Sequence, residues 1–263
     1  MERIKEALER ANAQREISPP AGQPSRKTPP AAGITYSQTR TVEVPASTYR
    51  KNRLVAAVDD DHSTAAYKML RTQVLQRLKE KGWNALAITS PGEGEGKTLT
   101  ALNLAISIAR EVNHTVLLVD LDLRHPDVHS YFEYVPEKGL SDYLLHDTPL
   151  SEILFNPGIE RLVVLPGRER FQNSSEVLSS PKLVALVEEL KTRYPSRIVL
   201  FDLPPLLSAD DALAFAPYVD AALLVIEEGR TSRDDVLKAM EYLSATNVLG
   251  TVLNRSEEKI AGY

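Results

Sequence analysis

The stretch Ser90–Thr100 reads SPGEGEGKTLT and joins two runs of different periodicity. Ala85–Thr89 (ALAIT), just before it, predicts a buried strand, and Ala101–Arg110 (ALNLAISIAR), just after it, is apolar at helical spacing. A glycine-rich turn that ends in Gly-Lys-Thr between a strand and a helix indicates a phosphate-binding P-loop. Its bare backbone can aim N–H groups at a polyanion, and the helix adds the positive end of its dipole. Pro91 stands where the usual motif opens with glycine.

Strands and helices alternate on both sides of this loop. Apolar runs predict strands at 85–89, 115–120, 161–166, 197–202, 221–227 and 248–254. Helical spacing predicts helices at 63–82, 97–111, 139–146, 149–155, 181–194, 208–217 and 232–245. This order indicates an α/β fold, a doubly wound and mainly parallel sheet flanked by helices, of the P-loop NTPase class.

Three segments differ in composition. Residues 1–17 predict an amphipathic N-terminal helix, which we expect to be a docking segment. Residues 18–56 contain six prolines and few large apolar side chains, which predicts a flexible linker. Residues 57–263 carry the alternating pattern and are the expected P-loop domain.

Charge and composition narrow the possible partners. The net charge of −5 combines a basic arm, +5 over residues 1–56, with an acidic body. An acidic body argues against nucleic acid as a partner, because phosphate binding needs a cationic face. The absence of cysteine excludes disulfides and thiolate metal sites. No apolar run approaches the ~18 residues that cross a bilayer, so we expect a cytoplasmic chain that reaches a membrane only through a partner.

The motifs at the predicted carboxyl ends of the strands indicate a Mg-ATP site. The backbone of the loop would line the phosphates, and Lys97 would reach the β- and γ-phosphates; the loop comprises Gly92, Glu93, Gly94, Glu95, Gly96, Lys97, Thr98 and Leu99. Thr98, Asp122 and Asp202 would hold Mg²⁺. A further carboxylate, Asp120, is then free to act as general base, although the sequence leaves the roles of Asp120 and Asp122 undecided.

Several motifs resemble those of the bacterial tyrosine kinases (BY-kinases). VLLVDLDLRHPDVHSYF (Val116–Phe132) is similar to their second Walker motif, and RIVLFDLPPLLSADDA (Arg197–Ala212) to their Walker B segment. SPGEGEGKT shares the family's proline at position 91. VLGTVLNR (Val248–Arg255) resembles their closing strand, with Asn254 where related ATPases hold the adenine base. The resemblance covers about residues 57–260.

The resemblance implies a protein-tyrosine autokinase that phosphorylates its own tyrosines in trans within a ring of subunits. It further implies control of capsule or exopolysaccharide synthesis and export, together with a separate membrane-spanning activator of the chain-length type. Tyr263 is the candidate phosphoacceptor in the tail, whereas Tyr36 and Tyr49 lie in the predicted linker, where we expect them to be accessible. Tyr242 lies within a predicted helix, where we expect it to be packed.

Two other functions fit the P-loop. A nucleotide switch of the Min/Par type would hydrolyse ATP in order to change partners, but those proteins carry an extra lysine where this chain has Gly92. A non-catalytic adaptor would bind ATP and dock the export machinery without turnover. Retention of radiolabel from γ-labelled ATP on the protein would distinguish a kinase from both.

Overall fold

The computed structural model describes residues 39–58, 62–194 and 196–256, all within one compact unit of the chain. The strands are β1 Arg40–Thr41, β2 Ala85–Thr89, β3 Thr115–Asp120, β4 Phe155–Asn156, β5 Leu162–Leu165, β6 Arg197–Asp202, β7 Ala221–Glu227 and β8 Val248–Asn254. They form one sheet in the order β1-β4-β5-β3-β6-β2-β7-β8. Only the β4–β5 pair is antiparallel among these described strands, so the mainly parallel sheet predicted from the sequence is confirmed.

Helices cover both faces of the sheet. They are α1 Ala46–Lys51, α2 His62–Lys81, α3 Lys97–Ala109, α4 Leu140–His146, α5 Leu150–Ile153, α6 Ser174–Leu178, α7 Pro181–Thr192, α8 Asp211–Phe215 and α9 Arg233–Tyr242. Short 3-10 turns occupy Val55–Ala57, Val128–Phe132, Ala216–Tyr218 and Leu243–Ala245. Among the described residues, no helix is both long and apolar enough to cross a membrane.

The core consists of two apolar layers, one on each face of the sheet. Along β2, Ala85 and Ala87 pack in the layer that contains α7, whereas Leu86 and Ile88 pack in the layer that contains α2 and α3. Successive strand residues point to opposite faces, so a strand covered on both sides must be apolar throughout. This is why the central strands read as continuous apolar runs in the sequence.

The predicted linker is wrong for residues 39–56, which belong to the folded domain. β1 pairs with β4, and the side chain of Leu54 is completely buried in the layer of α2 and α3. The one proline in this range, Pro45, misled the prediction: it is the N-cap of α1, so its missing N–H removes no hydrogen bond within the helix. The predicted helix at 1–17 lies outside the described residues.

We call residues 39–57 the strap, because they connect two parts of the domain. Thr48 and Lys51 both bond the carboxylate of Glu133, at 3.0 and 2.5 Å. At the other end of the strap, the buried amide of Asn103 in α3 accepts from the N–H of Ala56 at 3.0 Å and donates to Arg53 O at 3.1 Å. The strap therefore joins the turn that follows β3 to the helix that follows the P-loop.

Candidate active site

The P-loop runs from the end of β2 into α3 with two glycines in the left-handed region. Gly94 has φ +73° and Gly96 has φ +93°, conformations that favour glycine. Gly96 is also confined, because a Cβ there would lie 2.0 Å from Nδ2 of Asn254. In the described part of the chain, no protein acceptor bonds the backbone N–H groups of residues 93–99. The loop therefore presents a row of donors suited to phosphate oxygens.

Lys97, the first residue of α3, brings the P-loop into contact with two strand ends. Its ammonium lies 2.7 Å from Oδ2 of Asp122 and 3.7 Å from Oδ1 of Asp202. The hydroxyl of Thr98 donates to Oδ2 of Asp202 at 2.7 Å. These contacts exist because β6 lies between β2 and β3 in a parallel sheet, so the carboxyl ends of all three strands meet at one edge.

Asp120 lies behind this cluster. It is paired with Asp202 across β3 and β6 and has no exposed surface. Its Oδ2 accepts from the N–H of Val128 at 3.1 Å, and its Oδ1 has no partner among the described residues. Gly167 packs against it, since a Cβ there would lie 2.6 Å from the Cβ of Pro126 and 3.5 Å from Cγ of Asp120.

Burial and like charge shift the protonation of these groups. Desolvation raises the pKa of Asp202 to about 6, although Lys97 and Thr98 oppose the shift. Desolvation and the neighbouring Asp202 carboxylate raise the pKa of Asp120 well above its usual range. Burial alone would lower the pKa of Lys97, but Asp202 and Asp122 hold it above its usual value. Strongly shifted carboxylates beside a buried cation are typical of functional sites.

The oxygen ligands at this edge fit Mg²⁺. Thr98 Oγ1 and the carboxylates of Asp122 and Asp202 form a small, hard donor set. No group of three or more His, Asp or Glu side chains in the described part of the chain is arranged to hold a metal by itself. Mg²⁺ suits such an incomplete set, because it retains water and phosphate oxygens as ligands.

Side chains from the β7–α9 loop and the end of β8 contact the outer side of the P-loop. Asn254 Nδ2 donates to Glu95 O at 2.8 Å, and Arg255 Nη2 donates to Gly94 O at 3.2 Å. The side chain of Glu95 is buried and accepts from Thr231, whereas that of Glu93 is exposed. The assignment of Asn254 to the adenine base stays a prediction; the structure shows that its amide nitrogen bonds the loop.

The sequence did not reveal two contributors near the site, Thr231 and the ion pair between Arg124 and Asp211. Arg124 Nε lies 2.6 Å from Oδ2 of the completely buried Asp211 at the start of α8. Asp211 stands nine residues after the end of β6, in a short acidic stretch that contains no recognisable motif of its own. The Asp-x-Asp-x-Arg spacing could have drawn attention to Arg124, but nothing local indicated its partner.

The tyrosines are placed differently from two of the expectations. Tyr49 donates its hydroxyl to Pro157 O at 2.9 Å and is half-buried, so it is not an accessible linker residue. Tyr242 is 43% exposed near the end of α9 rather than packed, so that prediction is wrong. Tyr36 and the candidate phosphoacceptor Tyr263 lie outside the described residues.

The fold and the loop define a nucleotide-binding P-loop domain. Residues 86–261 match the family of the CobQ/CobB/MinD/ParA nucleotide binding domain, which is two thirds of the chain. This family includes several chemistries, so it fixes the class of protein but not the reaction.

Individual relatives narrow the class to one family. The chain is 32% identical over 209 residues to the tyrosine-protein kinase YwqD of Bacillus subtilis (strain 168), covering 78% of this chain and 87% of the relative. It is 32% identical over 200 residues to the tyrosine-protein kinase CpsD of Streptococcus agalactiae, covering 75% and 85%. The solved kinase domain of the Escherichia coli tyrosine kinase ETK aligns with a TM-score of 0.71 at 27% identity, covering 88% and 95%. The chain belongs to the bacterial tyrosine kinases and is a protein-tyrosine kinase.

Proposed function

We propose that this chain is a Mg-ATP-dependent autokinase that transfers the γ-phosphoryl group to a tyrosine hydroxyl, with Tyr263 as the acceptor. The observation that carries the proposal is the cluster of Lys97, Thr98, Asp122 and Asp202 beside the free N–H groups of the P-loop. Phosphoryl transfer is catalysed mainly by positioning and by charge stabilisation, and this cluster offers both.

Each side chain has a role in this proposal. The loop N–H groups and Lys97 bind the phosphates, and Thr98, Asp122 and Asp202 would hold Mg²⁺. The bound ion would neutralise charge on the β- and γ-phosphate oxygens. Lys97 already offsets the two carboxylates that it contacts, which limits the repulsion that an incoming polyanion meets.

Asp120 is the proposed general base for the tyrosine proton, with Asp122 as the rival. Oδ1 of Asp120 has no donor among the described residues, whereas Oδ2 of Asp122 bonds Lys97. A carboxylate with a raised pKa accepts a proton more readily once it is ionised. We expect Asp120→Asn to lower kcat with little change in the KM for ATP, and Asp122→Asn to raise that KM as well; the reverse pattern would assign the base to Asp122.

The cellular role follows from the family resemblance. We propose control of capsule or exopolysaccharide synthesis and export, with a separate membrane-spanning activator of the chain-length type. The kinase would be cytoplasmic and would reach the inner face of the plasma membrane through this partner. Residues 1–17 would dock on the partner or on a neighbouring subunit of a homo-oligomeric ring. The acidic body, −10 over residues 57–263, supports the expectation that no nucleic acid is bound.

The decisive experiment follows label from γ-labelled ATP, with and without a membrane-embedded activator. Label retained on the wild-type protein and lost in Lys97→Met is the expected result. We expect the lysine substitution to lower the rate by about 10²–10³-fold, as removal of one preorganised donor does elsewhere. Release of label only as free phosphate would instead indicate a Min/Par-like switch, and ATP binding without turnover would indicate an adaptor.

A further inference from the structure

A chain of three hydrogen bonds connects the end of β7 to the P-loop. The hydroxyl of Thr231 accepts from the N–H of Glu227 at 2.8 Å and donates to Oε1 of Glu95 at 2.6 Å. The second oxygen of Glu95, Oε2, accepts from the N–H of Gly92 at 2.9 Å. Thr231 therefore lies between the backbone of the sheet and the first turn of the phosphate-binding loop.

Glu95 is an unexpected residue for this position. It is only 4% exposed, and no cation of the described residues lies within ion-pair distance of it. Burial of a carboxylate is costly unless hydrogen bonds satisfy it, and a negative charge here repels phosphate. Both of its oxygens are instead used to fix the loop. Glu93, two residues earlier, is exposed and makes no side-chain hydrogen bond in the described structure, so the same residue type has no such role there.

The loop has a particular need for external support. Its glycines at 94 and 96 adopt left-handed conformations and add backbone freedom that must be lost when the N–H groups converge on a phosphate. Restraining a loop in its bound conformation increases affinity, because less ordering remains to be done on binding. Asn254 and Arg255 hold the loop through two of its carbonyl groups, but Thr231 is the side chain that fixes the Glu95 carboxylate.

We infer that Thr231 is a positioning residue for nucleotide binding, and that the β7–α9 loop thereby sets the affinity of the P-loop for ATP. The inference rests on the proposed function only in that the P-loop must bind a nucleotide. Thr231 does not touch the phosphates; it acts through Glu95 and Gly92. Thr231→Val keeps the shape of the side chain and removes both hydrogen bonds, whereas Thr231→Ser keeps the hydroxyl.

The test measures Mg-ADP affinity by calorimetry on the full chain, with ATP kinetics alongside. We expect Thr231→Val to raise the Kd by roughly 5- to 30-fold, less than the full effect of a lost hydrogen bond to a charged group because Thr231 acts on the nucleotide only through Glu95. Thr231→Ser should stay within about twofold of wild type. The KM for ATP should rise in parallel, while kcat at saturating ATP changes little. Thr192→Val is a matched control, because its hydroxyl bonds only main-chain oxygens in α7, far along the chain from the loop.

Each outcome has one meaning. Wild-type protein without Mg-dependent affinity for ADP would overturn the proposed function, whatever the variants do. Wild-type affinity in Thr231→Val would overturn the role of Thr231 and leave the proposed function intact. Equal losses of kcat, affinity and ligand-free Tm would show general destabilisation and would also overturn it. A double variant, Thr231→Val with Glu95→Ala, should bind no worse than Glu95→Ala alone; additive losses would refute the relay.

Discussion

Replacement of Gly96 by alanine tests the backbone geometry of the P-loop directly. The residue has φ +93° and ψ 22°, so a Cβ introduces left-handed strain of about 1–2 kcal/mol. The new Cβ would also lie 2.0 Å from Nδ2 of Asn254, which must then leave its hydrogen bond to Glu95 O. Loss of that bond adds about 0.5–1.5 kcal/mol. We therefore expect Gly96→Ala to reduce the free energy of unfolding by about 1.5–3.5 kcal/mol and to weaken nucleotide binding.

Gly82→Ala is the matched control, because it introduces the same left-handed backbone strain without a collision of the new Cβ with a neighbouring atom. Gly82 has φ +71°, but no atom lies within 4 Å of the position of its Cβ, so Gly82→Ala should cost only the same strain, about 1–2 kcal/mol. Urea unfolding followed by far-ultraviolet circular dichroism measures both variants. In the Gly96→Ala background, Asn254→Ala should cost nothing further, since the colliding bond is already lost. Equal losses at the two glycines, or a full additional cost for Asn254→Ala, would refute the reasoning.

Three further predictions concern the acceptor, the strap and acid stability. Tyr263→Phe should abolish most labelling of the protein by γ-labelled ATP, whereas Tyr242→Phe should not. Tyr242 is held in a helix, whose backbone cannot extend into an active site. Phosphosite mapping that finds phosphate on Tyr242 and not on Tyr263 would contradict this prediction. Leu54→Ala should reduce the free energy of unfolding by about 2–4 kcal/mol, because the leucine side chain is fully buried. A loss below about 0.5 kcal/mol would show that residue 54 is not part of the folded core. Burial alone would raise the pKa of Asp142, but a backbone N–H and Arg168 at 2.7 Å hold it below its usual value. Its stabilising effect is present above the unfolded pKa of about 4 and is lost as pH falls through the lower folded value, so wild type and Asp142→Asn should converge in urea stability only below about pH 4.

The central sheet could be predicted because its signal is local. The runs at 115–120, 197–202 and 221–227 are continuously apolar, and the observed strands β3, β6 and β7 have those bounds. The P-loop and the aspartates at the strand ends could also be predicted from the sequence. The spacing of glycine, lysine and threonine is itself the P-loop motif. Asp120 and Asp202 meet because parallel strands end at one edge, which topology alone implies.

Contacts between distant parts of the chain were not predictable. Thr231 reaches Glu95 across 136 positions, and nothing in the sequence around Thr231 distinguishes it from other loop threonines. The strap was hidden for a different reason. Pro45 and the prolines that precede the strap predict an open chain, whereas its folded contacts include a hydrogen bond from the N–H of Ala56 to an asparagine 47 residues away. Short helices such as α6 were also not predicted, because five residues are too few to show a helical periodicity in the sequence.

The strap is also the part of the domain on which a force applied to the preceding segment would act first. If the proposed partner binds residues 1–38, a force that it exerts would reach β1 and α1 first. Thr48 and Lys51 would pass this force to Glu133, next to the turn whose Val128 N–H bonds Asp120. Conversely, an enzyme trimmed to begin at residue 57 would lose Leu54 from its interior and leave Asn103 without two of its partners. The smallest chain that retains an intact catalytic edge therefore starts near residue 39.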